Sequence, residues 1–180
     1  MRTYQQSCGL SWAYRLLESI LTNNDILRRV RYTFDFKDST MVEIFALAQV
    51  TVTEEQVAAW LKKDDVDGFE PIEDVELASF LNGLIVLKRG PRDGEQPEPE
   101  TRLNNNIVLQ KLRIAMNFKA EDMLEMMRLA EFNLSKHELS AFFRKPDNRH
   151  YRECKDQILR YFLLGLQLHV RSSKSKATDA

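Results

Sequence analysis

Histidine and cysteine are scarce in this 180-residue chain, which holds only His137, His150, His169, Cys8 and Cys154. Acid–base and metal chemistry need His, Cys, Asp or Glu converging at set spacings. The chain has no His-Glu-x-x-His run, no glycine-rich phosphate loop and no serine or cysteine nucleophile signature. No catalytic, cofactor or metal site is therefore expected, and the chain reads as a non-enzyme. Long apolar runs are also missing: no stretch of about 18 such residues could span a bilayer. The N-terminus lacks the charged and apolar regions of a signal peptide, so the expected location is the cytoplasm, without a membrane partner. A basic excess is absent too, because 26 Lys and Arg face 27 Asp and Glu, short of the electrostatic footprint of a dedicated nucleic-acid binder.

What the chain does have is a copy of itself. Laid over itself so that Asn23 falls on Asn105, the stretch 23–90 matches 105–172 without a gap. Asn24 meets Asn106, Arg31 meets Arg113, Phe36 and Lys37 meet Phe118 and Lys119, and Met41 meets Met123. Toward the end, Asp74, Leu77, Phe80, Gly83, Leu84 and Arg89 return as Asp156, Leu159, Phe162, Gly165, Leu166 and Arg171. Other pairs exchange one apolar residue for another, as with Val30 and Leu112, Ile44 and Met126, Val57 and Leu139, or Trp60 and Phe142. A tandem duplication outranks any single motif, and both copies should share one fold. Cys154 takes the place of Ile72, which marks it as a small buried apolar residue, not a redox or metal group.

Each copy reads as four helices, giving an all-α fold with two units related by a pseudo-twofold axis. The first helix, from about 25 to 34, carries Ile26, Leu27, Val30 and Phe34 on one stripe, with Asn23 or Asn24 expected as its N-cap. The second, from about 39 to 49, turns Met41, Ile44, Phe45 and Ala48 inward, copied as Met123, Met126, Met127 and Ala130. These methionines are core filler or the lining of an adaptable groove. Thr53 with Gln56, and Ser135 with Glu138, form capping boxes that start the third helix at one point in both copies. The fourth, from about 74 to 89, presents Leu77, Phe80, Leu81 and Leu84 and stops at Gly90. Gly83 and Gly165 lie inside it, where glycine costs about 1 kcal/mol against alanine, so another backbone is expected to approach closely, through crossing of the two fourth helices.

The expected organisation is therefore an N-terminal extension over 1–22, a first repeat over 23–90, an acidic proline-rich linker over 91–104, a second repeat over 105–171 and a disordered tail over 172–180. Pro91 to Glu100 reads PRDGEQPEPE, too polar to pack into a core. In the extension, Trp12, Tyr14, Leu16, Leu17 and Ile20 could form a short amphipathic helix. Charge separates the copies: residues 23–90 hold 8 Lys and Arg against 13 Asp and Glu, a balance of −5, whereas 105–172 hold 12 against 8, a balance of +4. The contrast peaks between the third and fourth helices, where KKDDVDGFEPIED in the first copy faces RKPDNRHYRECK in the second.

Three functional readings follow. The first is a non-catalytic interaction module that engages a protein partner or a second copy through its opposite charges. Its candidate partner-binding residues are Lys136, Arg144, Lys145, Arg149, His150, Arg152 and Lys155. The second is nucleic-acid binding through repeat 2, because the second and third helices resemble a helix-turn-helix; Lys136, Ser140, Arg144, Lys145, Arg149 and Arg152 would carry it. Glu54 and Glu55 would face phosphates in the first copy and argue against it there. The third, an enzyme, has only unrepeated histidines to draw on; His150 and Glu153, three apart, are a chance pair.

The runs Asn-Asn-Asp-Ile-Leu-Arg-Arg-Val-Arg-Tyr, Ala-Trp-Leu-Lys-Lys and Phe-Leu-Asn-Gly-Leu-Ile precede the acidic linker. Asn-Asn-Asn-Ile-Val-Leu-Gln-Lys-Leu-Arg-Ile-Ala and Leu-Arg-Tyr-Phe-Leu-Leu-Gly-Leu follow it. From about Leu21 to Val170 the chain thereby resembles the YehS-like family of small bacterial proteins of unknown function. The resemblance implies a bacterial cytoplasmic protein with two copies of an all-helical domain, and it carries over no functional residue. Residues 1–20 depart from it, as a start codon set too far upstream would produce.

Overall fold

The protein is described by a computed structural model over residues 20–178, with side chains through Ser173. The expected amphipathic helix at Trp12 to Ile20, and Cys8, lie outside the described residues apart from Ile20. The described residues form eight helices and no strand. The first repeat contributes α1 (Asn23–Phe34), α2 (Asp38–Leu47), α3 (Glu54–Leu61) and α4 (Asp74–Arg89). The second contributes α5 (Asn105–Ala115), α6 (Ala120–Leu129), α7 (Lys136–Ala141) and α8 (Asp156–Thr178). The fold is all-α and duplicated.

Helical spacing puts the apolar stripes where they are expected. Ile26, Leu27 and Val30 of α1 and Val108, Leu109 and Leu112 of α5 are buried. Phe45, Phe80 and Trp60 pack as a tilted aromatic cluster with centroids 5.3 to 5.4 Å apart. The second copy places Met127, Phe162 and Phe142 at those positions. Met123, Met126 and Met127 are each 1% exposed, so the methionines are core and not a groove. Both capping boxes form: the Gln56 amide donates to Thr53 Oγ1 at 3.2 Å and the Thr53 amide to Gln56 Oε1 at 3.0 Å. Ser135 and Glu138 repeat the exchange at 3.0 and 3.2 Å.

Three local expectations are corrected. The N-cap of α1 is Thr22, whose hydroxyl accepts from the Asp25 amide, and the matching cap of α5 is Asn104, which accepts from the Ile107 amide at 2.9 Å. Asn23 and Asn24 are the first two residues of the helix, where their side chains are released for tertiary bonds. The backbone that crowds Gly83 is not the other fourth helix either. A Cβ there would fall on the Ile44 carbonyl of α2, and one on Gly165 would fall on the Met126 carbonyl of α6, well inside contact distance in both cases. The close approach is thus within each repeat, between its second and fourth helices, and glycine is required because no side-chain atom fits. The final helix continues to Thr178, through residues expected to form a tail; extending a formed helix fixes one residue per added bond, which polar residues can follow.

Packing between the repeats is reciprocal. α4 lies against α5 and α8 against α1, each more extensively than α1 meets α4 or α5 meets α8. The first helix of each repeat therefore covers the last helix of the other, and the two cores merge into one apolar cluster. Matching polar contacts lock the exchange. Asp74 Oδ2 accepts from the Leu103 amide at 2.9 Å, and Asp156 Oδ2 accepts from the Leu21 amide at 2.8 Å. Their other oxygens accept from the neighbouring asparagine of the same repeat, Asn23 at 2.8 Å and Asn105 at 2.7 Å.

Candidate functional site

The loop that carries the basic residues is held by one buried asparagine. Asn106 Nδ2 donates to the carbonyls of Phe142 and Arg152 at 2.8 and 2.9 Å, and its Oδ1 accepts from the Cys154 amide at 2.9 Å. All three bonds close over segment 142–154, so its path is set from beneath, with Phe142 and Cys154 buried and residues 145–150 exposed. Asn24 does the same for the first copy, donating to Trp60 and Glu70 and accepting from Ile72. Cys154 is 1% exposed. Burial, with Asp156 and Glu153 nearby, pushes its thiol up to about 12, which leaves it protonated and unreactive at neutral pH.

On this loop Lys145, Arg149, His150 and Arg152 are exposed and Arg144 is half-buried. Among the described residues, no carboxylate lies within ion-pairing distance of Arg144, Lys145, Arg149 or Arg152. The two flanking lysines differ. Lys136 Nζ meets Glu121 Oε1 at 2.7 Å, and Lys155 meets Glu153 at 2.5 Å; hydrogen bonds to those partners raise both ammonium groups above their ordinary values. Lys136 and Lys155 thus each have an acidic partner at the surface. His150 Nε2 accepts from Arg149 Nε at 2.8 Å, and its backbone amide donates to Asn148. Among the described residues no group of three or more His, Cys, Asp and Glu is placed to hold a metal ion.

Beside this corner lies a cleft of about 560 Å³ between α4, α5, the end of α7 and the linker. Its apolar walls are Ile85 and Val86 of α4, Ile107 and Ile114 of α5, and Phe142 and Phe143 after α7. Arg113 stacks its guanidinium over the Phe143 ring at 4.8 Å and fixes that wall. Across the opening runs the linker, from which Arg92, Gln96, Pro97 and Glu100 contribute. Glu100 ties the linker down by pairing with Lys111 Nζ at 2.8 Å. The Lys111 side chain is 8% exposed, and its ammonium also donates to Asn82 Oδ1 on α4. Arg144 joins the cleft to the basic corner. Helical periodicity does not mark the cleft; the signal in the sequence is the absence, in the second copy, of the charged pair that stands at positions 25 and 28.

Comparison with known proteins settles the family. The one described as "Protein of unknown function (DUF1456)" matches residues 23–90 and again 105–172. The chain belongs to this family. It is similar to "Uncharacterized protein YehS" of Escherichia coli (strain K12), with 50% identity over 155 residues that span 84% of this chain and 99% of that protein. No solved structure matches. The DUF1456 match falls twice on the duplicated unit, so both asparagine anchors and both buried glycines lie within it. No helix among the described residues is long and apolar enough to cross a membrane.

Proposed function

We propose that this DUF1456 protein is a non-catalytic, cytoplasmic binding module that docks an acidic protein surface on the basic corner of its second repeat. The observation that carries this is the set of Arg144, Lys145, Arg149 and Arg152, none of which has a carboxylate within ion-pairing distance among the described residues, on a loop whose backbone is anchored by Asn106. A fixed loop presenting unpaired cations steers an acidic partner and holds it without first ordering itself. Nucleic acid is the weaker occupant. The helix that would enter a groove, α7, has only six residues, and Lys136 at its start is tied to Glu121. The first repeat, at −5, would repel a phosphate backbone.

The test compares the wild-type chain with a variant in which Arg144, Lys145, Arg149 and Arg152 are all changed to Glu. Proteins captured from a bacterial lysate by the wild type and not by the variant are purified and titrated directly. A partner whose Kd rises about tenfold or more on charge reversal supports the proposal. Labelled duplex DNA and structured RNA are titrated in parallel by fluorescence anisotropy at about 50 and 200 mM salt. Salt-sensitive micromolar binding that the variant loses would replace the protein partner with nucleic acid. Sedimentation velocity at low salt tests whether the acidic surface is the 62–74 corner of a second copy.

A further inference from the structure

Equivalent positions at the two inter-repeat seams are used differently. In the first copy Asp25 and Arg28 pair at 2.7 Å, and Arg28 Nη1 continues to the Lys62 carbonyl at the end of α3 at 2.5 Å. That arginine bridges α1 and the end of α3. The corresponding residues of the second copy are Ile107 and Gln110, and no such bridge forms. In its place is the cleft of about 560 Å³, within the few hundred to about 1,000 Å³ typical of small-molecule sites.

We propose that this cleft binds a small organic anion with a flat apolar body and a carboxylate or phosphate head. The body lies between the Ile85 and Val86 wall of α4 and the Ile107, Phe142 and Phe143 wall of the second repeat. The head sits between Arg92 on the linker and Arg144 after α7. Charge favours an anion: Glu100 is the only acidic lining residue, and it is committed to Lys111. Neither Arg92 nor Arg144 has a carboxylate within ion-pairing distance among the described residues. The guanidinium fork matches the two oxygens of either head group. The proposal shares only Arg144 with the docking of a protein on the exposed corner, because the remaining contacts of the ligand lie in the cleft between α4, α5 and the linker.

The probes are 2-naphthoate, 2-naphthyl phosphate and the neutral 2-naphthamide, titrated against the full chain by calorimetry. Saturable 1:1 binding of either anion, about tenfold tighter than the amide, is the expected result, and the better anion identifies the head group. The double variant Ile107→Asp with Gln110→Arg rebuilds the first copy's bridge, at positions that are half-buried and exposed. It should keep its melting transition and bind the anions at least tenfold more weakly. Arg92→Ala should weaken both anions and leave the amide unchanged. Absence of saturable anion binding, equal affinity for the amide, or wild-type affinity in the folded double variant would each overturn the proposal. The closing variant leaves Lys145, Arg149 and Arg152 intact, so failure here is distinguishable from failure of the protein-docking surface.

Discussion

The two repeats agree where the chain turns inward and disagree where it meets solvent. Asn24 and Asn106 make the same three bonds, Asp74 and Asp156 the same cross-repeat bond, and Gly83 and Gly165 the same close approach. Even the left-handed residues coincide: Asp35 with Asn117, and Gln49 with Glu131, all near φ +60°. The loops between third and fourth helices, held by equivalent anchors, carry opposite charge. A buried polar bond leaves a costly orphan when one partner changes, whereas an exposed side chain can change with little effect on stability. The two copies therefore share one frame beneath two different surfaces, and the second carries a cation cluster and an open cleft.

The comparison can be broken hardest at the glycines. Gly83→Ala and Gly165→Ala each set a Cβ against a helix carbonyl that cannot move alone, so each should destabilise by about 3 kcal/mol or more, read as a lowered denaturant midpoint. A near-neutral result at one would show that its repeat relaxes where the other does not. Asn24→Ala and Asn106→Ala come next, at about 3 kcal/mol each from stranded backbone groups, with similar losses in both copies. A large difference between them would mean that one loop is anchored by something other than its asparagine. Smaller, and opposite in sign, is the relief of left-handed backbone. Gln49→Gly and Glu131→Gly should stabilise by up to about 1 kcal/mol each, measured by thermal melting. Cys154 sharpens the contrast with Ile72: in a Cys8→Ser background at pH 8, its thiol should resist a disulfide reagent until the protein unfolds.

Much of the frame was legible because it is written locally. Apolar stripes at helical spacing gave the helices, and Thr53 with Gln56 and Ser135 with Glu138 gave two of their starting points within three residues of sequence. Where bonding partners are distant, legibility ended. Asn23 and Asn24 have the chemistry of a cap, and only the path of the following loop shows that Asn24 serves Trp60, Glu70 and Ile72 instead. Gly83 announced a close approach without saying whose backbone would come. The linker is too polar to signal any packing of its own, and the reach of Glu100 to buried Lys111 depends on where α5 settles against α4. For the site, the cation cluster was visible as composition, although Lys136 and Lys155 turned out to be paired with Glu121 and Glu153. The cleft was hidden in an absence, the missing counterpart of Asp25 and Arg28.

The most direct test of a shared frame with unequal surfaces is to reverse each corner in turn and measure binding of the captured partner. One variant changes Arg144, Lys145, Arg149 and Arg152 to Glu; the other changes Asp64, Asp65 and Asp67 to Lys. Both should melt within a few degrees of the wild type, since these residues are half-buried at most. Only the first should raise the Kd, by about tenfold or more. Equal losses from the two reversals, or a loss confined to the acidic corner, would contradict the assignment of function to the second repeat.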